Sequence, residues 1–185
     1  MRKLYLFNMI TLDGFFEGKE PWDLGWHNVD AEFNTFAVEQ LESTSALLFG
    51  RKTYEGMAQY WSSDQANNDD PVVTKLMNSM PKMVASRTMT EASWNNTVIL
   101  KGNIEDEINR LRSLPGKDIG IFGSAELASS LSSVIDEYRI IVAPVILGSG
   151  TPLFKPAAGK VRLKMTNVRN FTNGNILIYY TPLNK

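Results

Sequence analysis

The chain contains no cysteine, which removes disulfides, thiolate metal sites and thiol nucleophiles together. Histidine is nearly as scarce. With His27 as the single imidazole, a His-rich metal cage is impossible, and a Ser-His-Asp triad would have to use that one residue. His27 stands between DLGW and NVDAEF, where it reads as an ordinary surface residue at a loop-helix junction. An excess of charge is also missing: nineteen Lys and Arg face twenty Asp and Glu, a formal net charge of -1. That balance provides no electrostatic footprint for nucleic acid or a membrane surface as the main partner, yet leaves room for a local cationic pocket. The opening MRKLYLFNMITLDGFF has no signal-peptide pattern and reads, with the lack of cysteine, as cytoplasmic. Neither a Walker phosphate loop nor a Rossmann glycine fingerprint is present, since FGRKTYE lacks the earlier glycine and GIFGSAEL lacks the Gly-x-Gly pair.

Repeats, low-complexity tracts and linkers are absent as well. A chain of 185 residues, 43% hydrophobic, fits one domain over residues 1–185 that buries roughly 70% of its unfolded surface. Its segments alternate in type, which favours an α/β domain. KLYLFNMI (3–10) reads as a buried strand followed by the aromatic, glycine-rich loop DGFFEGKEPWDLGW. DAEFNTFAVEQLES reads as a helix, with Phe33, Phe36, Ala37 and Leu41 at helical spacing and Asp30 as its N-cap. SALLFG is a short strand, RKTYEGMAQYW a helix, SSDQANNDDP a surface loop and VVTKLMNSM a short helix. Strands at KMVAS and TVIL follow, then an amphipathic helix at NIEDEINRLRS, a strand at DIGIFG and a helix at SAELASSLSSV. The last third holds long strands, EYRIIVAPVIL, RLKMTNVRNF and NILIYYT, the last two joined at the turn-rich TNGN. The sheet is therefore expected to be mixed.

The run LLFGRKTYEGM (47–57) carries the strongest chemical signal. A helix that begins right after a strand turns unsatisfied N–H groups and a partial positive charge beyond the sheet edge. Gly50 permits close approach, Thr53 offers a hydroxyl, and Arg51 and Lys52 add full charges, so an anion suits the place. Gly123, Ser124 and Ala125 repeat the arrangement at IFGSAELA, and a third strand ends in Ser86, Arg87 and Thr88. One such junction is equally well a plain cap. Several in one small sheet suit a ligand with several phosphates, such as a dinucleotide.

The order TLDGFFEG, FGRKTYE, MVASRT, VILKGN, IGIFGSAELA and LGSGTPLF resembles the dihydrofolate-reductase-like superfamily, specifically stand-alone relatives of the reductase domain of the bifunctional riboflavin-biosynthesis deaminase/reductase. The resemblance spans essentially the whole chain. It implies a three-layer α/β/α fold around a mixed sheet, with NADPH across the strand ends. It also implies that Arg51, Lys52 and Thr53 hold NADPH phosphates, that Ser86, Arg87 and Lys101 wall the adenosine 2'-phosphate pocket, and that Gly123, Ser124 and Ala125 receive the pyrophosphate. Dihydrofolate reductases usually have consecutive glycines where this chain has Gly123 followed by Ser124. Residues Asn8 to Leu12, Asn8 and Met9 among them, fall near the nicotinamide, and Asp13 either belongs with them or caps the turn at Gly14.

On the substrate side, the resemblance implies an acid on the first helix. Glu32 matches loosely and Asp30 competes, while Asp30 also reads as a helix cap and Glu32 as a solvated side chain. Pro21 and Trp22 resemble a Pro-Trp pair beside the folate site, at longer spacing. PVILGSGTPLF is closer to the riboflavin-pathway reductase, whose acceptor is a ribosylamino-pyrimidine phosphate, and DDPVV (69–73) reads as a chance likeness to that enzyme's substrate element. Three functions follow: an NADPH-dependent reductase of a small heterocycle of the riboflavin-pathway type, a dihydrofolate reductase or other small-molecule reductase, and a non-catalytic NADPH-binding module. Nothing calls for a metal. The apolar RIIVAPVIL, TPLF and ILIYY lead to the expectation of a homodimer.

Overall fold

The computed structural model describes residues 1–154 and 160–183. In chain order the strands are β1 (Leu4–Thr11), β2 (Phe15–Glu17), β3 (Thr44–Gly50), β4 (Lys82–Ala85), β5 (Thr97–Leu100), β6 (Asp118–Phe122), β7 (Glu137–Ala143), β8 (Thr151–Pro152), β9 (Leu163–Asn170) and β10 (Ile176–Pro182). The helices are α1 (Ala31–Glu42), α2 (Arg51–Trp61), α3 (Asp64–Asp69), α4 (Pro71–Ser79), α5 (Ile104–Arg112) and α6 (Ala125–Ser130). Eight strands form one sheet in the order β5-β4-β3-β6-β1-β7-β10-β9, and β2 pairs with β8 apart from it. Neighbours from β5 to β7 are parallel, whereas β10 runs antiparallel to both β7 and β9.

The period-2 alternation of the strands sorts the core onto two faces. Leu4, Leu6, Leu48, Ile119 and Ile121 meet Ile108 of α5 and Leu127 and Ala128 of α6. Tyr5, Leu47, Phe49 and Phe122 face the other way, onto Leu41 of α1, Tyr54 of α2 and Val73 and Met77 of α4. Burying both faces requires near-continuous apolar strands, which LYLF and ALLF supply. The result is three layers, with α5 and α6 on one side and α1, α2 and α4 on the other.

The structure departs from the sequence reading at several ends. Residues 64–69 are helical rather than loop, because Ser63 caps them by accepting from the Ala66 amide. Asp70 of DDPVV then caps α4, accepting from Val72 and Val73 ahead of Pro71 at the first turn. β7 stops at Ala143, where the missing amide of Pro144 ends the ladder. α6 stops at Ser130, whose hydroxyl turns back onto the Leu127 carbonyl at 2.8 Å, a side-chain bond that competes with continued helix. The short β2 lies inside a stretch read as loop, and β8 lies in a stretch to which the sequence reading assigns no element.

Parallel pairing sends the C-terminal ends of β1, β3, β4 and β6 toward one edge. β1 pairs with β6 only as far as Phe7, so Asn8 and Met9 run on past their neighbour. The crevice beyond those strand ends is where ligands gather in open α/β sheets.

Candidate functional site

A cleft of about 1620 Å³ occupies that edge. Gly50 to Thr53, Ser86 to Thr88 and Gly123 to Ala125 line it from the strand ends, with Asn8 and Met9 between them. Its other wall is α1, through Phe33, Asn34, Ala37 and Gln40, together with Phe16, Pro21, Trp22 and His27 of the long loop. At Arg51 and Thr88 it passes into a shallower hollow of about 750 Å³ between α2 and residues 88–94.

The helix starts divide into two kinds. Asp30, Ser63, Asp70 and Asn103 cap α1, α3, α4 and α5 with side-chain oxygens. α2 and α6, which start at the strand ends lining the cleft, have no side-chain cap bond. Their first-turn amides therefore remain for another acceptor. α2 also has no acidic residue in its first turn, whereas α6 is short and carries Glu126 there. The favourable place for an anion is thus the start of α2, where Arg51 and Lys52 add charge. Arg51 is exposed and meets Glu55 at 3.4 Å, one helical turn on.

Ser124 is withheld from capping because it serves elsewhere. Its Oγ accepts from the Gly50 amide at 2.8 Å and donates to Thr53 Oγ1 at 2.8 Å. The two junctions are thereby locked together, and the Thr53 hydroxyl keeps its own hydrogen for an acceptor. Gly123 and Ser124 both have positive φ, 61° and 62°. A Cβ on Gly123 would also lie 2.8 Å from Thr53 Cγ2, so only glycine fits there without displacement.

The long loop is tied down at three points. Asp13 accepts from Thr11 Oγ1 at 2.6 Å and from the amides of Leu147 and Gly148. These bonds, that of Thr11 foremost, hold its carboxyl below the usual range and join TLDGFFEG to ILGSG, while Gly14 makes its own backbone turn to Thr11. The Trp22 indole packs against Gly56 in the middle of α2, where a Cβ would come within 1.8 Å of it. Asn28 exchanges side-chain and backbone bonds with Asn173 and accepts from Asn175 Nδ2, all at the β9–β10 turn.

Twelve of the residues assigned to a dinucleotide, namely Asn8, Met9, Gly50, Arg51, Lys52, Thr53, Ser86, Arg87, Thr88, Gly123, Ser124 and Ala125, are brought together along this one cleft. Lys101 is not among its lining residues; it follows Leu100, whose carbonyl accepts from the Ser86 amide, and is exposed. Asp30 and Glu32 also lie off the lining. Asp30 accepts from the Phe33 amide as the cap of α1. Glu32 accepts from the Thr172 amide at 2.8 Å and its hydroxyl at 2.7 Å, which lower its carboxyl pKa. The helix explains the separation: Phe33, Ala37 and Gln40 share the face toward the cleft, while Glu32 is rotated toward the hairpin turn.

His27 is half-buried, not the surface residue that its place at a loop-helix junction implies. Its Nε2 is shut off from solvent and has no hydrogen-bond partner among the described residues, and burial pushes its pKa down to about 4. Asn8 Nδ2 and Gln40 Oε1, also on the cleft lining, are buried without partners. Each such group costs about 1 to 3 kcal/mol while unmatched, an expense that a ligand can relieve. No sequence signal marks His27, because its burial depends on the Asn28 clamp to a turn 145 residues away.

The family described as RibD C-terminal domain matches residues 2–177. The uncharacterized protein YyaP of Bacillus subtilis (strain 168) is 34% identical over 181 residues, covering 97% of this chain and 94% of that protein. Among solved structures, a Thermotoga maritima diaminohydroxyphosphoribosylaminopyrimidine deaminase/5-amino-6-(5-phosphoribosylamino)uracil reductase superposes with TM-score 0.70 at 15% identity, over 98% of this chain and 56% of that one. Dihydrofolate reductase from Enterococcus faecalis, complexed with NADP(H) and RAB-propyl, superposes with TM-score 0.64 at 11% identity, over 98% and 97% of the two chains.

Proposed function

This chain belongs to the RibD C-terminal domain family, a family of reductases with a dihydrofolate-reductase-like fold, and from that premise we propose that it is an NADPH-dependent reductase of a small heterocycle. The observation that carries the reading is the pair of uncapped helix starts at the cleft, locked together by Ser124 and flanked by cations. A cofactor with several phosphates fits that donor set. Arg51, Lys52 and Thr53 would hold a phosphate at the start of α2, and Arg87 with Ser86 would take the 2'-phosphate. NADPH, when bound, supplies a hydride to the acceptor. The chain's own part would be to orient the acceptor, against which Phe16, Trp22 and Phe33 of the lining offer an aromatic wall.

The substrate class we favour is the riboflavin-pathway type, of 5-amino-6-(5-phosphoribosylamino)uracil reductase kind. A dihydrofolate reductase is less well supported, because the α1 acids, Asp30 and Glu32, are engaged by Phe33 and Thr172. The third reading, a module that binds NADPH without oxidising it, separates by turnover. Calorimetry with NADPH and NADH, before and after Arg87→Ala, tests the cofactor assignment. The substitution is expected to weaken NADPH about ten- to a hundredfold and to spare NADH. Equal loss for both cofactors would remove Arg87 from the 2'-phosphate. Loss of NADPH absorbance over a panel of pyrimidines and pteridines tests the reaction.

We also propose a homodimer through the outer strands. Val168 pairs with Ile178 and Met165 with Tyr180, so these side chains share one face, and Met165, Val168 and Ile176 are exposed. A monomer by light scattering across micromolar concentrations would refute it.

A further inference from the structure

The aromatic half of the cleft contains one imidazole whose Nε2 meets no partner among the described residues. His27 lines the cleft beside Phe16, Trp22 and Phe33, and this Nε2 is buried. Its backbone and ring are each held by neighbours. The His27 amide closes a turn onto the Leu24 carbonyl at 2.9 Å, and the Trp26 ring meets the imidazole edge-on at 4.5 Å. The next residue, Asn28, is clamped to Asn173 and Asn175.

Three acids near this wall already accept hydrogen bonds. Glu17, on the same wall, accepts from the Trp22 amide at 2.6 Å. Asp30 and Glu32, just beyond, accept from Phe33 and Thr172. We propose that His27 is the residue that recognises the acceptor, its Nε2 hydrogen-bonding an uncharged carbonyl, ring N–H or hydroxyl group of a heterocycle seated against Phe33 and Trp22. Burial keeps the imidazole neutral, so it offers one donor or one acceptor and no ionic pairing. An uncharged edge matches it, whereas a carboxylate brought to the same spot loses hydration and gains no countercharge. The acceptor itself rests on the reductase reading; the contact to His27 does not.

Since His27 is the only histidine, its ring nitrogens give one unambiguous nitrogen-15 signal pair. Uracil and lumazine, both with carbonyl and ring N–H edges, are titrated into the full chain with NADPH present and absent. Orotate, the carboxylate analogue of uracil, serves as the charged comparison. The Nε2 resonance is expected to move saturably with the uncharged ligands and to stay in place with orotate. His27→Phe, which keeps a ring but removes the bond, is expected to weaken those ligands about tenfold. His27→Gln is expected to remain within about threefold, and NADPH affinity to change less than about twofold in either variant, since its contacts lie on other elements. An Nε2 signal unmoved by both uncharged ligands up to their solubility, an equal response to orotate, or undiminished binding in His27→Phe would overturn the assignment. Failure of NADPH to bind would instead remove the reductase reading, while the imidazole titration would still decide His27.

Discussion

Ser124 Oγ stands 2.8 Å from both the Gly50 amide and Thr53 Oγ1, so one hydroxyl joins two strand-to-helix junctions 74 residues apart in sequence. Ser124→Ala leaves the Gly50 N–H without its acceptor and frees Thr53. The expected cost is about 1 to 3 kcal/mol of stability, read from the urea midpoint at unchanged slope. NADPH affinity should fall as well, because the start of α2 loses its fixed position. A variant with wild-type stability and wild-type NADPH affinity would show that the bond is dispensable.

Gly56 lies in the middle of α2, where alanine ordinarily stabilises a helix by about 1 kcal/mol. Here a Cβ would overlap the Trp22 indole at 1.8 Å. Gly56→Ala should therefore fail to stabilise the wild type and should expose the indole, visible as red-shifted emission. In a Trp22→Gly background, which removes the ring and suits the φ of 65° at that residue, the ordinary gain should return. Additivity of the two substitutions would contradict the contact.

Asp30 and Glu32 are expected to matter for structure more than for chemistry. Asp30→Ala should cost about 0.5 to 2 kcal/mol as a lost helix cap. Glu32→Gln should loosen the β9–β10 turn, seen as faster amide exchange at Thr172. Single-turnover hydride transfer should stay within about threefold in both, against the hundredfold or greater loss of a general acid. A loss of that larger size at either position would restore it to the chemistry.

The pH dependence of stability should carry the mark of His27. Its pKa is about 4 in the folded chain, depressed by burial from 6.5. The unfolded chain therefore binds the extra proton between those values, and stability is full above pH 6.5 and declines as pH falls toward 4. The decline attributable to this residue is on the order of 1 to 3 kcal/mol. His27→Phe should remove it. The depressed carboxyls of Asp13 and Glu32 act in the same direction at lower pH, stabilising above their unfolded values and losing that effect as pH falls through the folded ones. Identical pH profiles for wild type and His27→Phe would show that the imidazole is solvated.

Local chemistry wrote much of this protein directly into its sequence. The unbroken apolar runs LYLF and ALLF mark strands buried on both faces, because successive side chains on a strand take opposite faces whatever lies beyond. FGRKTYE and IFGSAEL mark strand-to-helix turns through glycine, cations and hydroxyls, and TNGN marks the hairpin. These signals depend only on neighbours within a few residues. What the sequence could not express are the contacts that close over long separations. The sheet order that sets β6 between β3 and β1, the Ser124 bridge, the tie of Asp13 to Gly148 and the diversion of Glu32 to Thr172 all join distant segments. His27 shows the difference most plainly. Its place at a loop-helix junction reads as surface, whereas in the fold Asn28 is clamped to the far hairpin and the His27 Nε2 is shut off from solvent. Burial is a property of the packed whole, since it depends on which distant surfaces meet, and no window along the chain contains both of them.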